Sequence, residues 1–271
     1  MTASDRRQHI LDRLEQDGAC SYDGLAEALG VSSMTVRRDL AALIRQGAAI
    51  KTVGGVQRAH APSYLYESAL HSRLAVNRQE KRAIARVALG LIGMHQTVFL
   101  DGSSTCLELA RALAKEKLAV TVVTNSALVC LELGKNAGIA VVGIGGQYDA
   151  NSLSFVGPQA EGWAKTLFVD VAFMGTKGFL PAKGTFESSL PTFRIKQLVA
   201  QRCGELVLLA DHTKFGQRAL SQVLDIAQIH TVVTDDRAPR ADLALLARKA
   251  KKVLVAHAAG RTASKGAAHA A

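Results

Sequence analysis

Most of the chain, from about Gln79 onward, alternates helical segments with short apolar segments, and this alternation restricts the fold more than any other feature. The apolar segments are rich in β-branched residues and apolar on both faces, as in the strands of a buried parallel sheet. These predicted strands are Thr97–Leu100, Ala119–Thr124, Ile139–Ile144, Val171–Met174, Glu205–Ala210, Thr231–Thr234 and Val253–Ala256. Helices are expected at Glu80–Ile92, Thr105–Ala114, Ser126–Asn136 and Arg194–Cys203. The pattern predicts an α/β fold.

The first 58 residues follow a different plan. Apolar residues at helical spacing predict helices over Arg6–Gln16, Tyr22–Leu29 and from Ser32 or Ser33 to about Gln46. Ser21 is suited to cap the second helix, and Gly18 and Gly47 are suited to end the first and third. Ala48–Thr52 and Val56–Arg58 flank Gly54-Gly55 and predict a hairpin. This order is that of a winged helix-turn-helix domain.

Composition excludes several classes of protein. The chain has 271 residues, of which 48% are hydrophobic, so it is not a disordered chain. No apolar run reaches the roughly 18 residues of a membrane span. The start of the chain does not read as a signal peptide. Cys20, Cys106, Cys130 and Cys203 form no C-x-x-C pair, so we expect no metal site, no cofactor and no disulfide framework, and a location in the cytoplasm.

The basic residues of the amino-terminal domain are concentrated in its second half. Between Arg37 and Arg58 the chain has five basic residues and one acid, Asp39, within an overall net charge of +10. A local basic surface on a small domain favours binding to nucleic acid. The first turns of a recognition helix face the major groove, where arginine contacts phosphate or guanine; the sequence leaves open which. The predicted DNA-binding residues are Ser32, Ser33, Thr35, Arg37, Arg38, Lys51 and Arg58. Asp39 would repel DNA, so we expect it to pair with or orient a neighbouring arginine.

The predicted organisation has four parts. Residues 1–58 form the winged helix-turn-helix domain, 59–78 a partly helical linker, 79–257 an α/β domain, and 258–271 a disordered tail.

Several motifs make the chain similar to the DeoR family of bacterial transcriptional regulators. Residues 6–58 resemble the DNA-binding domain of that family, through Leu25-Ala26, Leu29-Gly30-Val31-Ser32 and Thr35-Val36-Arg37-Arg38-Asp39-Leu40. Residues 79–236 resemble its sensor domain, through Asp101-Gly102-Ser103-Ser104-Thr105, Thr124-Asn125-Ser126, Gly145-Gly146, Gly184-Thr185 and Asp211-His212-Thr213-Lys214-Phe215-Gly216. The resemblance implies a Rossmann-like, ribose phosphate isomerase-like sensor fold. It also implies a phosphorylated sugar or polyol as effector, double-stranded operator DNA as partner, and repression rather than activation as the usual mode.

The position of two of these motifs agrees with a ligand site. Asp101–Thr105 and Thr124–Ser126 each follow a predicted strand and open a helix, where backbone N–H groups and hydroxyls bind anions. Ligands of open α/β sheets bind beyond the carboxyl ends of the strands. Asp211 is placed either to bind a sugar hydroxyl or to cap the following turn, and Lys177 either reaches an anionic ligand group or is solvated. The predicted effector-binding residues are Asp101, Gly102, Ser103, Ser104, Thr105, Thr124, Asn125, Ser126, Gly145, Gly146, Lys177, Lys196, Asp211 and Lys214.

Two other functions compete with a regulator. Asp101, Asp170, Glu187 and Asp211 supply carboxylates, so a sugar phosphate isomerase with a DNA-binding appendage is the alternative, although we predict that the chain is not an enzyme. An RNA-binding or architectural protein is disfavoured because Tyr22 is the sole aromatic residue among the first 60. A regulator of this kind is expected to be a homo-oligomer, a dimer or a tetramer, so that two recognition helices reach the duplex.

Overall fold

The computed structural model describes residues 1–17, 19–45, 48–52, 55–58, 70–249 and 252–258. The chain divides into two compact units, residues 1–63 and 64–271. The predicted stops at Gly18 and Gly47, Gly54 of the hairpin, most of the linker and nearly all of the tail lie outside the described residues.

The first unit is the predicted winged helix-turn-helix. Its elements are α1 (Ala3–Asp17), β1 (Ala19–Ser21), α2 (Tyr22–Leu29), α3 (Ser33–Arg45), β2 (Ala49–Thr52) and β3 (Gly55–Arg58). Ser21 caps α2, as predicted, by accepting the N–H of Gly24 at 3.0 Å. Gly30 ends α2 in the left-handed conformation, with φ of 63°. The three helices enclose a small core in which Ile10, Leu14 and Val36 are fully buried.

The wing contains one strand more than the sequence predicts. β1 pairs with β3 in the antiparallel sheet β1-β3-β2. Gly55 allows this pairing, because a Cβ at that position would lie 2.3 Å from the carbonyl oxygen of Cys20. Strand β1 has three residues, which is too short for an alternating pattern to identify.

The second unit is an α/β domain with nineteen α-helices and β-strands in the described part of the chain. They are α4 (Leu70–Ala75), α5 (Arg78–Leu89), β4 (Thr97–Leu100), α6 (Ser104–Leu113), β5 (Val120–Thr124), α7 (Ala127–Leu133), β6 (Ile139–Gly143), β7 (Gln147–Asp149), β8 (Ser154–Val156), α8 (Pro158–Thr166), β9 (Val169–Gly175), β10 (Gly178–Leu180), β11 (Gly184–Glu187), α9 (Leu190–Ala200), β12 (Cys203–Leu209), β13 (Ser221–Asp225), β14 (Thr231–Asp235), α10 (Arg240–Arg248) and β15 (Lys252–Ala256).

Seven of these strands form a parallel sheet in the order β15-β14-β12-β9-β4-β5-β6. The first strand of the sheet, β4, lies in its interior; β5 and β6 follow on one side, and β9, β12, β14 and β15 follow on the other. This is a Rossmann-like order, and the point where it reverses lies between β4 and β9. Helices α5, α6 and α7 cover one face, and α8, α9 and α10 pack on the other. The predicted α/β fold class is confirmed.

The differences from the predicted elements are short or irregular. The sequence did not predict the three-stranded antiparallel sheet β10-β11-β13, the hairpin β7-β8, or helices α8 and α10. Residues 70–77, which the sequence assigned to the linker, belong to the second unit, include α4 and are hydrogen-bonded to the rest of that unit. No helix among the described residues is long and apolar enough to cross a bilayer.

Candidate DNA-reading face and effector site

The start of α3 is fixed by hydroxyl groups of its own first residues. Ser32 Oγ accepts the N–H of Thr35 at 3.2 Å and lies 3.0 Å from Thr35 Oγ1. Ser33 Oγ donates to Asp23 Oδ1 at 3.0 Å, which ties α3 to α2. Among the predicted DNA-binding residues, Ser33 is therefore already engaged within the first unit, whereas Ser32 is exposed.

Arg37 and Arg38 are both exposed on α3. The guanidinium of Arg37 lies 4.5 Å from the centre of the Tyr22 ring, a cation–π contact that orients it. Met34, on the same first turns, is 71% exposed. Thr35 is half-buried, so it is less accessible than the two arginines.

Asp39 turns away from these arginines and into the unit. It is 2% exposed and accepts hydrogen bonds from Nε of Arg6 at 2.8 Å and from Nε of Arg7 at 3.3 Å, both on α1. The expected partner of Asp39 is therefore supplied by α1. In the described part of the chain, Arg37 and Arg38 form no ion pair, so their charge is available to an external anion.

The last two predicted DNA-binding residues lie on the wing. Lys51 is exposed on β2, opposite Val56 of β3. Arg58 ends β3 opposite Ala49.

In the second unit, the predicted effector-binding residues lie along the carboxyl edge of the parallel sheet or beside it. Asp101 follows β4, Thr124 ends β5, Gly145 and Gly146 follow β6, Lys177 follows β9, and Asp211 follows β12. Neighbouring strands are about 4.8 Å apart, so Asp211 and Asn125, at the ends of β12 and β5, are separated by roughly 14 Å. The predicted residues therefore form several groups rather than a single contact set for a small ligand.

A buried ionic cluster lies at the reversal point between β4 and β9. The Nζ atom of Lys196 on α9 is 3.1 Å from Asp101 Oδ2, donates to Gly175 O at 2.9 Å, and pairs with Glu187 Oε1. Asp101 also accepts the N–H of Ser103 at 2.9 Å and the N–H of Gly175 at 2.9 Å. Burial lowers the pKa of Lys196, but Glu187 and Asp101 outweigh it and hold that pKa above its usual range. Burial raises the pKa of Asp101, but Lys196 and the hydrogen bonds from Ser103 together outweigh it, so the pKa lies below its usual range.

The loop after β4 uses some of its predicted anion donors internally. Ser103 Oγ accepts the N–H of Cys106 and caps α6, while the N–H of Ser103 is held by Asp101. Ser104 and Thr105, both buried, follow at the start of the helix. Packing also requires a glycine at position 102, because a Cβ there would lie 2.1 Å from Ser154 Oγ.

The motif after β5 is also mostly structural. Thr124 Oγ1 donates to Leu100 O at 2.7 Å and accepts the N–H of Ser126, and Ser126 caps α7. Asn125 Nδ2 donates to Phe155 O at 3.0 Å, whereas its buried Oδ1 has no hydrogen-bond partner among the described residues. A buried acceptor of this kind calls for a donor from a ligand or a water molecule.

Asp211 caps the following turn, which is one of its two predicted roles. Its Oδ1 accepts the N–H of Thr213 at 3.0 Å and thereby caps a short 3-10 turn, His212–Lys214. Its Oδ2 is buried and has no hydrogen-bond partner among the described residues. Burial raises the pKa of Asp211, but Lys214, Thr213 and Lys81 together outweigh burial. The pKa therefore lies below its usual range, and the carboxylate stays charged.

Three further residues belong to these clusters and were not predicted as site residues. Glu187 completes the ionic cluster, Lys81 acts electrostatically on Asp211, and Asn77 Nδ2 donates to Asp211 Oδ1 at 3.1 Å. Nothing in the charged first turn of α5 distinguishes Lys81 from its exposed neighbours. The sequence placed Asn77 in the linker, so its contact with a residue 134 positions away left no local signal.

The outlying predicted residues have other surroundings. Gly145 and Gly146 are exposed, and a Cβ at Gly146 would lie 2.6 Å from Val156 O. Lys177 is half-buried. A recess of about 480 Å³ lies at the opposite edge of the sheet, before β5 and β6, and contains none of the predicted residues; it is lined by Ala114–Ala119, Asn136 and Gly138.

Comparison with known proteins identifies both units. Residues 6–61 match the model of the DeoR-like helix-turn-helix domain, and residues 76–236 match that of the DeoR C terminal sensor domain. The chain is 31% identical to the HTH-type transcriptional regulator GolR of Listeria innocua, over 88% of this chain and 92% of that protein. It is 28% identical to the putative aga operon transcriptional repressor of Escherichia coli O157:H7, over 93% of each chain. It is 29% identical to the L-fucose operon activator of Escherichia coli K12, over 86% of this chain and 95% of that protein.

Among solved structures, ribose 5 phosphate isomerase A from Neisseria gonorrhoeae is similar to part of the chain. The TM-score is 0.39 at 18% identity, over 51% of this chain and 53% of the isomerase. A likeness of this extent does not identify a function.

Proposed function

The chain belongs to the DeoR family of transcriptional regulators, and we propose that it represses an operon for sugar or polyol catabolism until a phosphorylated form of that compound releases it from DNA. The names of two relatives, an aga operon repressor and an L-fucose operon activator, support the class of operon. Because one of these relatives is an activator, the direction of regulation is part of the proposal.

The observation that carries the DNA contact is the charge arrangement on α3. Arg37 and Arg38 are exposed, while the one acid between them and the wing, Asp39, is neutralised by α1. This leaves two exposed guanidinium groups on α3 that can bind phosphate or guanine. We assign supporting contacts to Ser32, Thr35, Lys51 and Arg58, and a positioning role to Ser33.

The chemistry of the strand ends supports a phosphorylated, hydroxyl-bearing effector. Asp211 Oδ2 is a buried acceptor without a partner in the described chain, and a hydroxyl group is the donor that suits it. Asn125 Oδ1 is a second acceptor of this kind, in the separate group of residues at the end of β5. Lys214 and Lys81 supply positive charge beside Asp211. The start of α6 supplies backbone N–H groups, at Ser104 and Thr105, for an anion.

We also propose that the protein acts as a homo-oligomer in the cytoplasm. Dimeric helix-turn-helix proteins bind half-sites about one helical turn apart, so a dimer or tetramer would require an operator with repeated half-sites. Effector binding would alter operator affinity only if the two ligation states bind DNA differently.

One observation favours a second function, a sugar phosphate isomerase. The cluster of Asp101, Glu187 and Lys196 places two carboxylates and an ammonium group at the strand ends, and such groups can transfer protons. We favour a regulator without catalysis because Lys196 already pairs with both carboxylates. Incubation of the protein with pentose and hexose phosphates, followed by analysis for interconverted products, tests this alternative.

The experiment that tests the main proposal is a titration of labelled DNA. The duplex is taken from the region upstream of the gene and its neighbours, and the protein is added with and without ribose-5-phosphate, fructose-6-phosphate, glucitol-6-phosphate or inorganic phosphate. We expect specific binding that one of the organic phosphates weakens and that inorganic phosphate leaves intact. Absence of specific binding, or binding that none of these compounds changes, would contradict the proposal.

A further inference from the structure

We propose that Asn77 is a positioning residue of the effector site, which holds Asp211 for the effector and joins that site to the segment Leu70–Asn77 through which the chain enters the sensor domain. The inference rests on the proposed function and adds a residue and a route of regulation to it. Effector binding at Asp211 is transmitted to this segment, and from there along the chain toward the DNA-binding unit.

The side chain of Asn77 forms hydrogen bonds with the turn that contains Asp211 and does not cap its own helix. Asn77 precedes α5 with φ of 51°, in the left-handed region that asparagine tolerates better than most residues. An asparagine at this position ordinarily caps the helix, but the side chain of Asn77 makes no capping hydrogen bond. Its Nδ2 donates instead to Asp211 Oδ1 at 3.1 Å and to Thr213 Oγ1 at 3.3 Å. The side chain therefore serves the turn after β12 rather than its own helix.

The hydrogen bonds of Asp211 are divided unequally between its two oxygens. Oδ1 accepts from Asn77 Nδ2, from the N–H of Thr213 and from Thr213 Oγ1. Oδ2 is buried and has no hydrogen-bond partner among the described residues. Three donors on one oxygen fix the plane of the carboxylate and leave the other oxygen to a donor from the effector.

The segment Leu70–Asn77 is held at both ends by residues near the carboxyl edge of the sheet. At its start, the N–H of the buried Leu70 donates to Asn151 O at 2.8 Å, in the turn between β7 and β8. At its end, Asn77 reaches Asp211, and Lys81 Nζ donates to the carbonyls of Arg73 and Val76 at 2.6 Å each.

The length of the segment fits a path along this edge. Strand β8 packs on Gly102 after β4, and Asp211 follows β12, two strands away. That separation is roughly 10 Å, and six residues of helix extend about 9 Å. The segment therefore connects the β4 end of the candidate site with its β12 end.

These contacts give effector binding a physical route to the segment Leu70–Asn77. An effector hydroxyl that donates to Asp211 Oδ2 binds the same carboxylate that accepts the hydrogen bond from Asn77. The position of this carboxylate therefore depends on the effector and on Asn77. Lys81 couples the same two features, because it influences the charge of Asp211 and holds two carbonyls of the segment. Residues before Leu70 lead in sequence to the winged helix-turn-helix domain.

Two variants of Asn77 and one control test this role in the full chain. Asn77→Gly keeps the left-handed backbone accessible and removes the donor. Asn77→Asp tolerates the same backbone and places a second carboxylate beside Asp211. Gln79→Ala is the control, because Gln79 is an exposed residue of the same helix without a hydrogen bond to the site.

The measurement is operator affinity as a function of ribose-5-phosphate, fructose-6-phosphate or glucitol-6-phosphate, whichever releases the wild type. We expect Asn77→Gly to bind the operator like the wild type without ligand, and to need about ten-fold more ligand for release, the effect of losing one hydrogen bond to a charged group. Asn77→Asp should need still more, and Gln79→Ala should match the wild type. Hydrogen exchange should slow in Leu70–Asn77 when the wild type binds ligand, and should not change in Asn77→Gly.

The outcomes separate this inference from the proposed function. If none of the compounds releases the wild type, the proposed function fails and the inference fails with it. If the wild type is released and Asn77→Gly is released at the same ligand concentration, the effector site stands and the role of Asn77 is wrong. A loss of operator affinity in ligand-free Asn77→Gly would also contradict it, because that result indicates a structural role alone.

Discussion

Asp39 lies on the helix that is expected to read DNA, yet its carboxylate contacts α1. Arg6 and Arg7 both donate to it, and these two arginines are 17% and 36% exposed. The pair of ion contacts links the amino-terminal helix to α3 and neutralises a negative charge on α3. A sequence can indicate that an acid among arginines needs a partner, but it cannot identify a partner more than thirty residues away.

Replacement of Asp39 by alanine should destabilise the first unit. The change removes two charge-assisted hydrogen bonds and leaves two guanidinium groups that can still reach water, so we expect a loss of about 1–3 kcal/mol. Urea unfolding of Asp39→Ala is compared with that of Asp12→Ala, an exposed acid on α1. Equal free energies of unfolding for the two variants would show that the contact to α1 contributes nothing.

Lys81 provides a prediction on pH dependence. Burial lowers the pKa of Lys81 to about 8, against 10.5 for a free lysine, although Asp211 favours its charged form. Between these two values the unfolded chain holds a proton that the folded chain has lost, so the stability contributed by this group rises with pH. The rise amounts to roughly 3 kcal/mol across the whole interval.

The measurement is the free energy of unfolding of the wild type and of Lys81→Met at several pH values within that interval. The stability of the wild type should increase relative to Lys81→Met as the pH rises, because methionine does not titrate. A constant difference between the two proteins would mean that Lys81 has an ordinary pKa in the folded state.

At the scale of elements, α6 begins where β9 ends. Gly175 is the last residue of β9, and its N–H binds Asp101, whose other oxygen binds the N–H of Ser103, the cap of α6. A Cβ at Gly175 would lie 2.5 Å from both Cβ and Oγ of Ser103. The close packing of β9 against this cap therefore depends on a residue without a side chain.

Gly175→Ala should displace Ser103 and weaken the start of α6, at a cost of about 1–3 kcal/mol. Gly145→Ala is the matched control, because a Cβ at Gly145 has no atom within 4 Å. Thermal unfolding should show a lower midpoint for Gly175→Ala and no change for Gly145→Ala. If the two substitutions have equal effects, the steric argument is wrong.

The elements that sequence reasoning predicted are those whose patterns are long enough to repeat. Strand Thr97–Leu100 and helix Tyr22–Leu29 have the predicted bounds, and the other strands of the parallel sheet differ by a few residues at their ends. Strands β1, β7, β8 and β10 have three residues each, which is too short for an alternating pattern to identify, and β1 is defined by its pairing with β3, more than thirty residues away in the sequence. Likewise, the strand-end motifs indicated where a site would lie. They did not indicate that the side chains of Ser103, Thr124 and Ser126 form hydrogen bonds within the domain.

For the assembled protein, we expect more than one chain to bind the operator. A chain of 28.7 kDa with a single winged helix-turn-helix domain covers one half-site, so we expect a mass in solution that is an even multiple of this value. Light scattering coupled to size-exclusion chromatography measures that mass, and a footprint on the operator should show two protected regions about one helical turn apart. A monomer that protects one region would contradict this prediction.

We expect one unit to bind DNA through α3 and the other to respond to a metabolite at its strand ends. Operator titrations at a fixed salt concentration test both expectations. They compare the wild type, Arg37→Ala and Asp211→Ala, each with and without the releasing phosphate. The account predicts that Arg37→Ala loses affinity by about ten-fold or more, equivalent to 1–3 kcal/mol for a specific contact. It predicts that Asp211→Ala binds like the wild type and resists release. Operator affinity of Arg37→Ala equal to that of the wild type, or release of Asp211→Ala at the ligand concentration that releases the wild type, would contradict it.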